Sequence, residues 1–279
     1  NQIDRSSSVS YSEIWGYRQE KYKRLSSSKI STLDWQKLNL STPYYFFVPL
    51  DFNRIAIYNK FQKVTNIFLE YSTGCETRKD KLWIDYEKST LEERLNFFSK
   101  KSTSEQAVNR FLGIKSTKYW KIPEIQEIVR QNQLRNYLTQ FIHRPFDKRI
   151  IYYNPDVIPR GSHSYPLMRH LLKKNIALVS SRQTKENFGV FVISCISTHK
   201  IVTVYDRSYI FPVYLYPEEK TTMLLTEVST PPWEPDSEYG NRVPNLDRDY
   251  VSELEEKLGF IFNAHLAGRD HHIEDNFGP

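Results

Sequence analysis

The amino-acid sequence predicts a mixed α/β fold of the α+β kind, in which a twisted mixed or antiparallel sheet carries flanking helices. Apolar residues recur at helical spacing between residues 87 and 140, whereas runs of β-forming residues dominate 141–217. Nineteen Tyr and sixteen Phe against nine Gly indicate packed structure rather than disorder. A chain of 279 residues that is 39% hydrophobic is long enough for one large domain or two small ones.

The N-terminal residues 1–31 are rich in serine and charge, and they predict a connector rather than part of the packed core. Within them, the pattern from Tyr11 to Leu25 predicts a short helix. The packed domain is expected over residues 32–279. The sequence begins at Asn1 and ends at Pro279, and we expect it to be a piece of a larger polypeptide.

Between the connector and residue 87 the pattern alternates between strand and helix signals. β-Forming residues at 44–48 lie between two prolines and predict a strand. Apolar residues near helical spacing predict a helix over 58–70. A polar loop over 72–80 then leads into a predicted strand at 82–86.

Three amphipathic helices are predicted in the helical sub-region, 87–140. The first covers 91–100, with Ser89 as its N-cap and acidic residues in its first turn. Ser104 caps the second, and Pro123 begins the third at a position where proline is favoured. The residues expected to face the core are Leu91, Leu95, Phe98, Val108, Phe111, Ile125, Ile128, Val129, Leu134 and Leu138.

The β-rich sub-region, 141–217, predicts several short strands and one helix. A Pro-rich stretch over 226–246 then predicts an extended crossing loop, and Asp247 to Leu258 has the pattern of an amphipathic acidic helix. The strands are expected at 149–153, 176–181, 188–195 and 209–216, the last broken by Pro212, and the helix at 166–174.

Positive charge is concentrated in one block of the chain. Residues 141–185 contain nine Lys and Arg against two acids, a net +7, although the whole chain is only +6. Residues 218–279 contain fourteen acids against five Lys and Arg, a net −9. This asymmetry indicates a directional electrostatic surface, and cations interleaved with aromatic residues suit a phosphodiester partner.

The two cysteines argue against a disulfide framework or a zinc site. Cys75 and Cys195 lie 120 residues apart, with no C-x-x-C motif, and a reducing cytoplasm fits this usage. The seven histidines show no metal-ligand spacing, and no run of eighteen apolar residues predicts a membrane span. We therefore expect no metal and no membrane partner.

No motif predicts an active site. Residues 230–233, Thr-Pro-Pro-Trp, are similar to the catalytic tetrapeptide of adenine methyltransferases, but Thr stands first and no Gly-rich cofactor loop precedes it. Asp236 with Glu255 and Lys257 echoes a metal-dependent nuclease, but the last two lie in a helical pattern in which side chains two apart diverge. We predict that this fragment is not an enzyme and has no catalytic residues.

The stretch from His143 to Tyr153, HRPFDKRIIYY, places three cations, one carboxylate and three aromatic residues in eleven positions. Its residue types disfavour a helix and are poorly suited to a strand at the surface. Asp147 lies between Arg144 and Arg149, so we predict that it acts as a structural clamp that holds an arginine by a bidentate pair. Two readings remain open: a turn clamp alone with Phe146 in the core, or a direct role in DNA binding.

Several segments together resemble one protein family. HRPFDKRIIYY resembles the Arg-Pro-Phe-Asp-x-Arg-x-x-Tyr-Tyr element of the C-terminal target recognition domain of type ISP, single-polypeptide restriction-modification enzymes and of related fused N6-adenine DNA methyltransferases. Residues 74–80 resemble the Gly-x-x-Thr-x-x-Asp loop of that family, with Arg78 where Gly is frequent. The segments 11–25, 168–182 and 211–217 resemble the connector, the helix-strand-Arg segment and the Pro-Leu-Tyr-Leu-Tyr-Pro strand, in the same order.

The resemblance implies a domain for sequence-specific recognition of double-stranded DNA, which serves an attached methyltransferase and a helicase-nuclease of the same polypeptide. It implies that S-adenosylmethionine binds the methyltransferase domain, that ATP binds elsewhere, and that residues 1–31 lead in from the methyltransferase. The alternative is an inter-domain coupling module without direct base readout. Loops around 74–80, 144–149, 159–164 and 181–186 are expected to approach DNA, as is the predicted helix with Arg169 and Lys173 on one face. The predicted DNA-binding residues are Thr77, Arg78, Lys79, Arg144, Lys148, Arg149, Arg160, Ser162, His163, Arg169, Lys173, Arg182 and Lys185.

Overall fold

The computed structural model describes two compact units, residues 1–62 and residues 63–279. The residues described are 8–42, 45–159, 161–185, 187–217, 236–259 and 261–262. The Thr-Pro-Pro-Trp tetrapeptide and residues 226–235 of the predicted crossing loop lie outside the described residues. The expected division of the chain at residue 31 stays a prediction.

The first unit contains one small antiparallel pair and two helices. Strand β1 (Val9–Tyr11) pairs with β2 (Gln36–Leu38), and α1 (Arg18–Ser27) lies between them in the chain. The helix predicted from Tyr11 therefore begins seven residues later, because residues 9–11 form β1 instead. A short helix, α2 (Ile55–Tyr58), follows.

Two predictions for residues 44–70 are wrong. The described residues 45–48 form no strand; the Tyr45 N–H donates instead to the nearby Ser41 carbonyl at 3.0 Å. The helix predicted over 58–70 is not formed as one helix. Helices α2 and α3 (Val64–Ile67) are separated by extended backbone at Lys63, with φ −78° and ψ 135°.

The second unit contains two four-stranded sheets and a two-stranded one, which confirms the predicted mixed α/β class. One four-stranded sheet has the order β4-β6-β5-β9 and the other has the order β3-β10-β7-β8. All their strand pairs are antiparallel except β5–β9, which is parallel. The strands are β3 (Ser72–Thr73), β4 (Ile84–Asp85), β5 (Leu138–Arg144), β6 (Asp147–Tyr152), β7 (Ala177–Ser181), β8 (Phe191–Ile193), β9 (Ile196–Ser197), β10 (Ser208–Pro212), β11 (Tyr214–Leu215) and β12 (Val243–Pro244).

The helices of the second unit agree with the predicted helical sub-region but differ at its ends. A short helix replaces the first half of the strand predicted at 82–86, and the third long helix stops before Leu138, which opens β5 instead. The acidic helix predicted from Asp247 is confirmed, with the Asp247 carboxylate accepting the Tyr250 N–H at 2.8 Å. The helices are α4 (Asp80–Trp83), α5 (Lys88–Ser99), α6 (Glu105–Leu112), α7 (Ile122–Gln131), α8 (Gly161–Met168) and α9 (Arg248–Leu258).

Capping and orientation of these helices were predicted only in part. The Ser104 hydroxyl accepts the Ala107 N–H at 3.2 Å, so the predicted cap of α6 is confirmed. Helix α5 begins at Lys88 after Glu87, so Ser89 is not its cap. Phe111 was expected to face the core but is 69% exposed, because α6 buries only its Val108 face.

An aromatic core supports the hairpin formed by β5 and β6. The Trp83 ring stacks on the Tyr152 ring at 5.7 Å between centroids, and Phe98 and Trp120 meet Trp83 edge-on. The Trp120 indole N–H donates to the Val157 carbonyl at 2.7 Å. These contacts join the long helices to the sheet, so the base of the hairpin is anchored in the core.

The segment HRPFDKRIIYY forms the tip and the second strand of this hairpin, so the strand predicted at 149–153 is confirmed as part of β6. Arg144 lies opposite Asp147 across a two-residue connection, Pro145-Phe146. Buried Ile151 and Tyr152 hold β6 against the core, and this packing outweighs the unfavourable residues near the turn. Phe146 is 96% exposed, which excludes the reading that placed it in the core.

The helix predicted over 166–174 is displaced. Helix α8 ends at Met168, and residues 169–172 form a 3-10 turn. Because Arg169 lies in that turn and Lys173 follows it in extended backbone, the two do not share one α-helical face. The strand predicted over 188–195 is reduced to β8, which is three residues long.

Candidate nucleic-acid interface

Three segments that are distant in the sequence meet at the free end of the β5–β6 hairpin. The Cys75 N–H donates to the Ser197 carbonyl at 2.8 Å, and the His199 N–H donates to the Cys75 carbonyl at 3.1 Å. The Thr198 N–H donates to the Ile142 carbonyl at 3.1 Å. Backbone hydrogen bonds therefore join the loop 75–80, the hairpin tip 143–149 and the segment 198–200.

Gly74 allows the loop 75–80 to approach the backbone at Ser197 and Thr198. A Cβ at this position would lie 2.5 Å from the Thr198 carbonyl oxygen and 2.7 Å from the Ser197 carbonyl oxygen. Real Cβ atoms do not approach backbone this closely, so only glycine fits. The Gly of the sequence motif is thus explained by packing, without any ligand.

Arg149 is fixed from two sides. Its guanidinium donates to Asp147 through Nε at 2.9 Å and through a terminal nitrogen at 2.7 Å. It also lies 4.3 Å from the centre of the Tyr86 ring and donates to the Tyr86 hydroxyl at 2.9 Å. The charge of Arg149 holds the pKa of the Asp147 carboxyl below its usual range. The arginine that Asp147 clamps is Arg149, and the pair fixes the start of β6.

The other cations of the hairpin tip are held differently. The Arg144 guanidinium donates to the Lys200 carbonyl at 2.9 Å, which ties the tip to the segment 198–200. Lys148 is exposed, and within the described part of the chain it has no carboxylate within ion-pair distance. Arg144 and Lys148 therefore keep their charge uncompensated at the tip.

The loop 75–80 contributes one outward cation. Arg78 adopts a left-handed backbone conformation, φ 54°, and its half-exposed side chain pairs with Glu76 at 2.8 Å. Thr77 is buried, and its hydroxyl donates to the Asp80 carboxylate. Lys79 points to the other side, 5.2 Å from the centre of the Trp120 ring.

We call the five cations that these contacts bring together the hairpin-tip cluster. An open pocket of about 230 Å³ lies among the three segments that carry them. Burial lowers the pKa of His143, and the nearby charges of Arg149 and Arg144 lower it further; burial likewise lowers the pKa of His199. Both histidines are therefore neutral near pH 7, and the positive charge comes from the cluster itself. Its members are Arg78, Arg144, Lys148, Arg149 and Lys200.

Arg182 lies at the same end of the molecule as the hairpin-tip cluster. It follows Ser181, which pairs with Ser208 across the β7–β10 ladder, and the Ser208 N–H donates to the His199 carbonyl at 2.7 Å. Arg182 is exposed there, as is Lys185 further along the loop. The predicted polar loop after β7 therefore extends the basic surface.

Arg169 and Lys173 lie at the opposite end of β7. Arg169 donates to the Pro217 carbonyl at 3.4 Å, and the Lys173 ammonium lies 5.2 Å from the centre of the Tyr216 ring. Strand β7 is five residues long, so its two ends are about 13 Å apart. The structure thus separates these two cations from the hairpin-tip cluster.

Three further predicted residues are in or near α8. His163 is exposed on this helix. Arg160 and the side chain of Ser162 lie outside the described residues.

A second, wider groove of about 660 Å³ borders the pocket and shares Asp80 and Ile84 with it. Arg149 and Tyr86 line the groove together with Arg110 from α6. Arg94 also lines it, but its charge is taken up by Asp85 and by the Ile84 carbonyl at 3.0 Å. The groove therefore continues the basic surface from the hairpin tip toward α6.

Sequence reasoning missed Lys200, His199, Tyr86 and Arg110. Lys200 and His199 reach the site through the parallel pairing of β5 with β9, which joins residues 55 apart in the chain. No local pattern marks such a pairing. Tyr86 is detectable in principle, because β4 and β6 pair in a register that continues to place it beside Arg149.

The described residues contain no group of three or more His, Cys, Asp or Glu side chains arranged to hold a metal ion. Cys75 and Cys195 are buried free thiols, and burial raises the pKa of Cys75 to about 12. Among the helices of the described residues, none is long and apolar enough to cross a membrane.

A mixed α/β domain with a braced basic hairpin has the features of a binding module. The chain belongs to the family of Type ISP C-terminal specificity domains, which it matches over residues 66–274. It is similar in fold to a structure described as a DrdV–DNA complex, with a TM-score of 0.57 and 14% identity over 86% of this chain. It is also similar to the ATP-dependent Type ISP restriction-modification enzyme LlaBIII bound to DNA, with a TM-score of 0.52 and 14% identity over 79% of this chain.

The chain spans 24% of the first of these structures and 14% of the second. No curated protein matches it. A specificity domain is not itself catalytic.

Proposed function

We propose that this chain selects the DNA sequence on which a larger restriction-modification polypeptide acts, and that the hairpin-tip cluster grips the phosphates of the duplex that it reads. The observation that carries the proposal is the meeting of cations from three segments at one end of the hairpin, where backbone hydrogen bonds join the segments and the Asp147–Arg149 clamp holds one of the cations. Phosphate contacts of this kind set register and orientation on a duplex. Membership of the specificity-domain family and the DNA present in both similar structures support the same reading.

The geometry suggests different tasks for the predicted residues. Arg144 and Lys148 have the uncompensated charge that phosphate contacts need, and Arg182 extends it along the surface. Thr77 is buried and bonded to Asp80, so we assign it to shaping the loop. Lys79 packs on Trp120, so its main task is also structural.

The remaining candidates belong to a second, peripheral set. Arg169 and Lys173 lie at the far end of β7 and can reach DNA only if the duplex extends about 13 Å beyond the cluster. His163 and Lys185 are exposed and compatible with contact. Arg160 and Ser162 remain candidates from the sequence alone.

The experiment that tests this proposal measures duplex binding as a function of salt. Each lost phosphate contact reduces the slope of log affinity against log salt by about 0.9. The double variant Arg144→Ala/Lys148→Ala should therefore bind a random-sequence duplex pool more weakly, with a slope reduced by about 2. Fluorescence anisotropy with labelled duplex provides both quantities.

The matched control removes two exposed cations from the acidic helix α9, as Arg248→Ala/Lys257→Ala. It changes net charge equally but should leave the slope within about 0.5 of the wild-type value. Equal slopes for the two double variants would show that the hairpin tip makes no phosphate contact. Absence of any salt-dependent duplex binding by the wild-type chain would overturn the proposed function.

We also propose that the catalytic domains lie elsewhere in the parent polypeptide. These domains are the methyltransferase, which binds S-adenosylmethionine, and the ATP-dependent helicase-nuclease. We further propose that the polypeptide is cytoplasmic. The support is the family membership and the small share of the similar structures that this chain spans.

One observation favours an additional coupling role for the first unit. Its residues 45–61 expose several large apolar side chains, whereas a surface facing only water rarely collects so many. We propose that these residues contact a neighbouring domain of the same polypeptide. The exposed residues are Tyr45, Phe46, Phe47, Val48, Leu50, Ile57, Tyr58 and Phe61.

A further inference from the structure

Phe146 occupies a backbone position that disfavours it. It is the second residue of the two-residue connection between β5 and β6, and its φ is 64°. A proline followed by a residue with positive φ is the pattern of a type II turn, whose third position is normally glycine or asparagine. Phenylalanine is strained there, whereas glycine adopts this backbone conformation freely.

Packing does not compensate for this strain. The Phe146 ring is 96% exposed, which makes it the most exposed large hydrophobic side chain in the described part of the chain. It therefore contributes almost no burial of apolar surface to folding. Since neither the backbone nor the core selects phenylalanine here, the residue points to a task outside the fold.

The ring is mounted on a rigid support. On one side, Arg144 is tied to the Lys200 carbonyl, and on the other, Asp147 is clamped to Arg149. Arg149 is held in turn by the Tyr86 ring. The backbone of the tip is thus fixed with Phe146 projecting from it, and little backbone entropy remains to be lost when the ring meets a ligand.

The surroundings of the ring fit nucleic acid better than a protein partner. Protein-binding hot spots are usually surrounded by other apolar contacts that exclude water. Beyond its immediate neighbours Pro145 and Asp147, the residues two and three positions from Phe146 in the chain instead include the cations Arg144, Lys148 and Arg149. Exposed aromatic residues among cations are the arrangement that binds bases and phosphates together.

We propose that Phe146 acts as a wedge that inserts at a base step of the duplex held by the hairpin-tip cluster. This inference rests on the proposed function. Apolar side chains that insert in this way partly unstack the two base pairs, and the surrounding phosphate contacts offset the free energy that unstacking requires. Binding by the wedge then depends on the free energy needed to deform the base step rather than on contacts that identify its bases.

The test compares Phe146→Gly with Phe146→Trp in the full chain. Glycine relieves the turn, so the free energy of unfolding should stay equal or rise, and a lost binding function is then not a folding defect. Duplex affinity of Phe146→Gly should fall about tenfold, the scale of one lost base–aromatic stacking contact. Phe146→Trp keeps a ring and should bind within about threefold of the wild type.

The second readout is 2-aminopurine fluorescence in a duplex that the wild-type chain recovers from a random-sequence pool. The wild-type chain should raise the fluorescence at one step, because unstacking relieves quenching, and Phe146→Gly should abolish this rise. The salt slope should not change, because no phosphate contact is removed.

The outcomes separate the two proposals. Salt-dependent binding with equal affinity for the wild type and Phe146→Gly would overturn the wedge and leave the proposed function standing. Equal duplex binding combined with a less stable full-length parent polypeptide would instead assign the ring to domain docking. Absence of duplex binding by the wild-type chain would overturn both.

Discussion

Replacing Gly74 by alanine should disrupt the junction on which the interface is built. The added Cβ would lie 2.5 Å from the Thr198 carbonyl oxygen, whereas ordinary contact begins near 3.4 Å, so the two backbones must separate by about 0.9 Å. That movement stretches the Cys75–Ser197 and His199–Cys75 hydrogen bonds, now 2.8 and 3.1 Å, beyond hydrogen-bonding range. Two lost hydrogen bonds at about 0.5–1.5 kcal/mol each, with about 1–3 kcal/mol of overpacking, predict a total loss of about 2–6 kcal/mol.

Urea unfolding followed by circular dichroism measures this loss directly. The matched control is Gly189→Ala, where the nearest atom is a side-chain carbon 3.5 Å from the added Cβ and the backbone has no positive φ. The control should change the free energy of unfolding by less than about 1 kcal/mol in either direction. If the free energy of unfolding of Gly74→Ala lies within about 0.5 kcal/mol of that of the control, the close backbone approach at Gly74 does not require glycine.

Three further predictions concern the folded state. Asn245→Ala should lower the free energy of unfolding by about 2–4 kcal/mol, because the buried amide makes three hydrogen bonds to the backbone. The control Asn53→Ala, at an exposed position, should lower it by less than about 0.5 kcal/mol, and equal losses would contradict the prediction. Burial lowers the pKa of His170 to about 4, so the folding stability should be fully present above about pH 6.5 and fall by up to about 3 kcal/mol toward pH 4. The variant His170→Asn should reduce this pH dependence, and parallel pH profiles of stability for the two proteins would contradict the prediction. Phe98→Ala should destabilise by about 3–5 kcal/mol in urea unfolding and Phe111→Ala by less than about 1, since only Phe98 is buried, and comparable values would show that Phe111 packs in solution.

The parts of the fold that the sequence predicts well are those with local signals. Helices α5, α6, α7 and α9 carry an apolar face at helical spacing, and Ser104 and Asp247 cap two of them with side-chain hydrogen bonds. Both signals lie within one or two turns of chain. Tertiary packing has little opportunity to override them.

The hairpin was not predicted because its turn breaks the usual rule. Pro145-Phe146 contains neither glycine nor asparagine at the position with positive φ, so the pair does not signal a turn. The strands form because buried Phe141 and Ile151 fit the core. The residue that defeats the prediction is also the one to which we assign a task beyond folding.

Half of the candidate site depends on contacts between distant parts of the chain. The cations at 144–149 were identified from their clustering in sequence. Lys200 joins them through a parallel strand pair, and the separation of Lys173 from them follows from a 3-10 turn that ends its helix early. Neither effect leaves a periodic pattern, so neither was predictable from composition or spacing.

The central claim is that this chain determines which DNA sequence is recognised. Grafting residues 66–274 in place of the corresponding segment of a Type ISP enzyme, and mapping the methylated positions of host DNA by sequencing, tests it most directly. If this chain determines the recognised sequence, the grafted enzyme should methylate a new sequence while its methylation activity persists. Methylation at the original sequence of the recipient enzyme would contradict a role of residues 66–274 in sequence recognition and place recognition outside this domain.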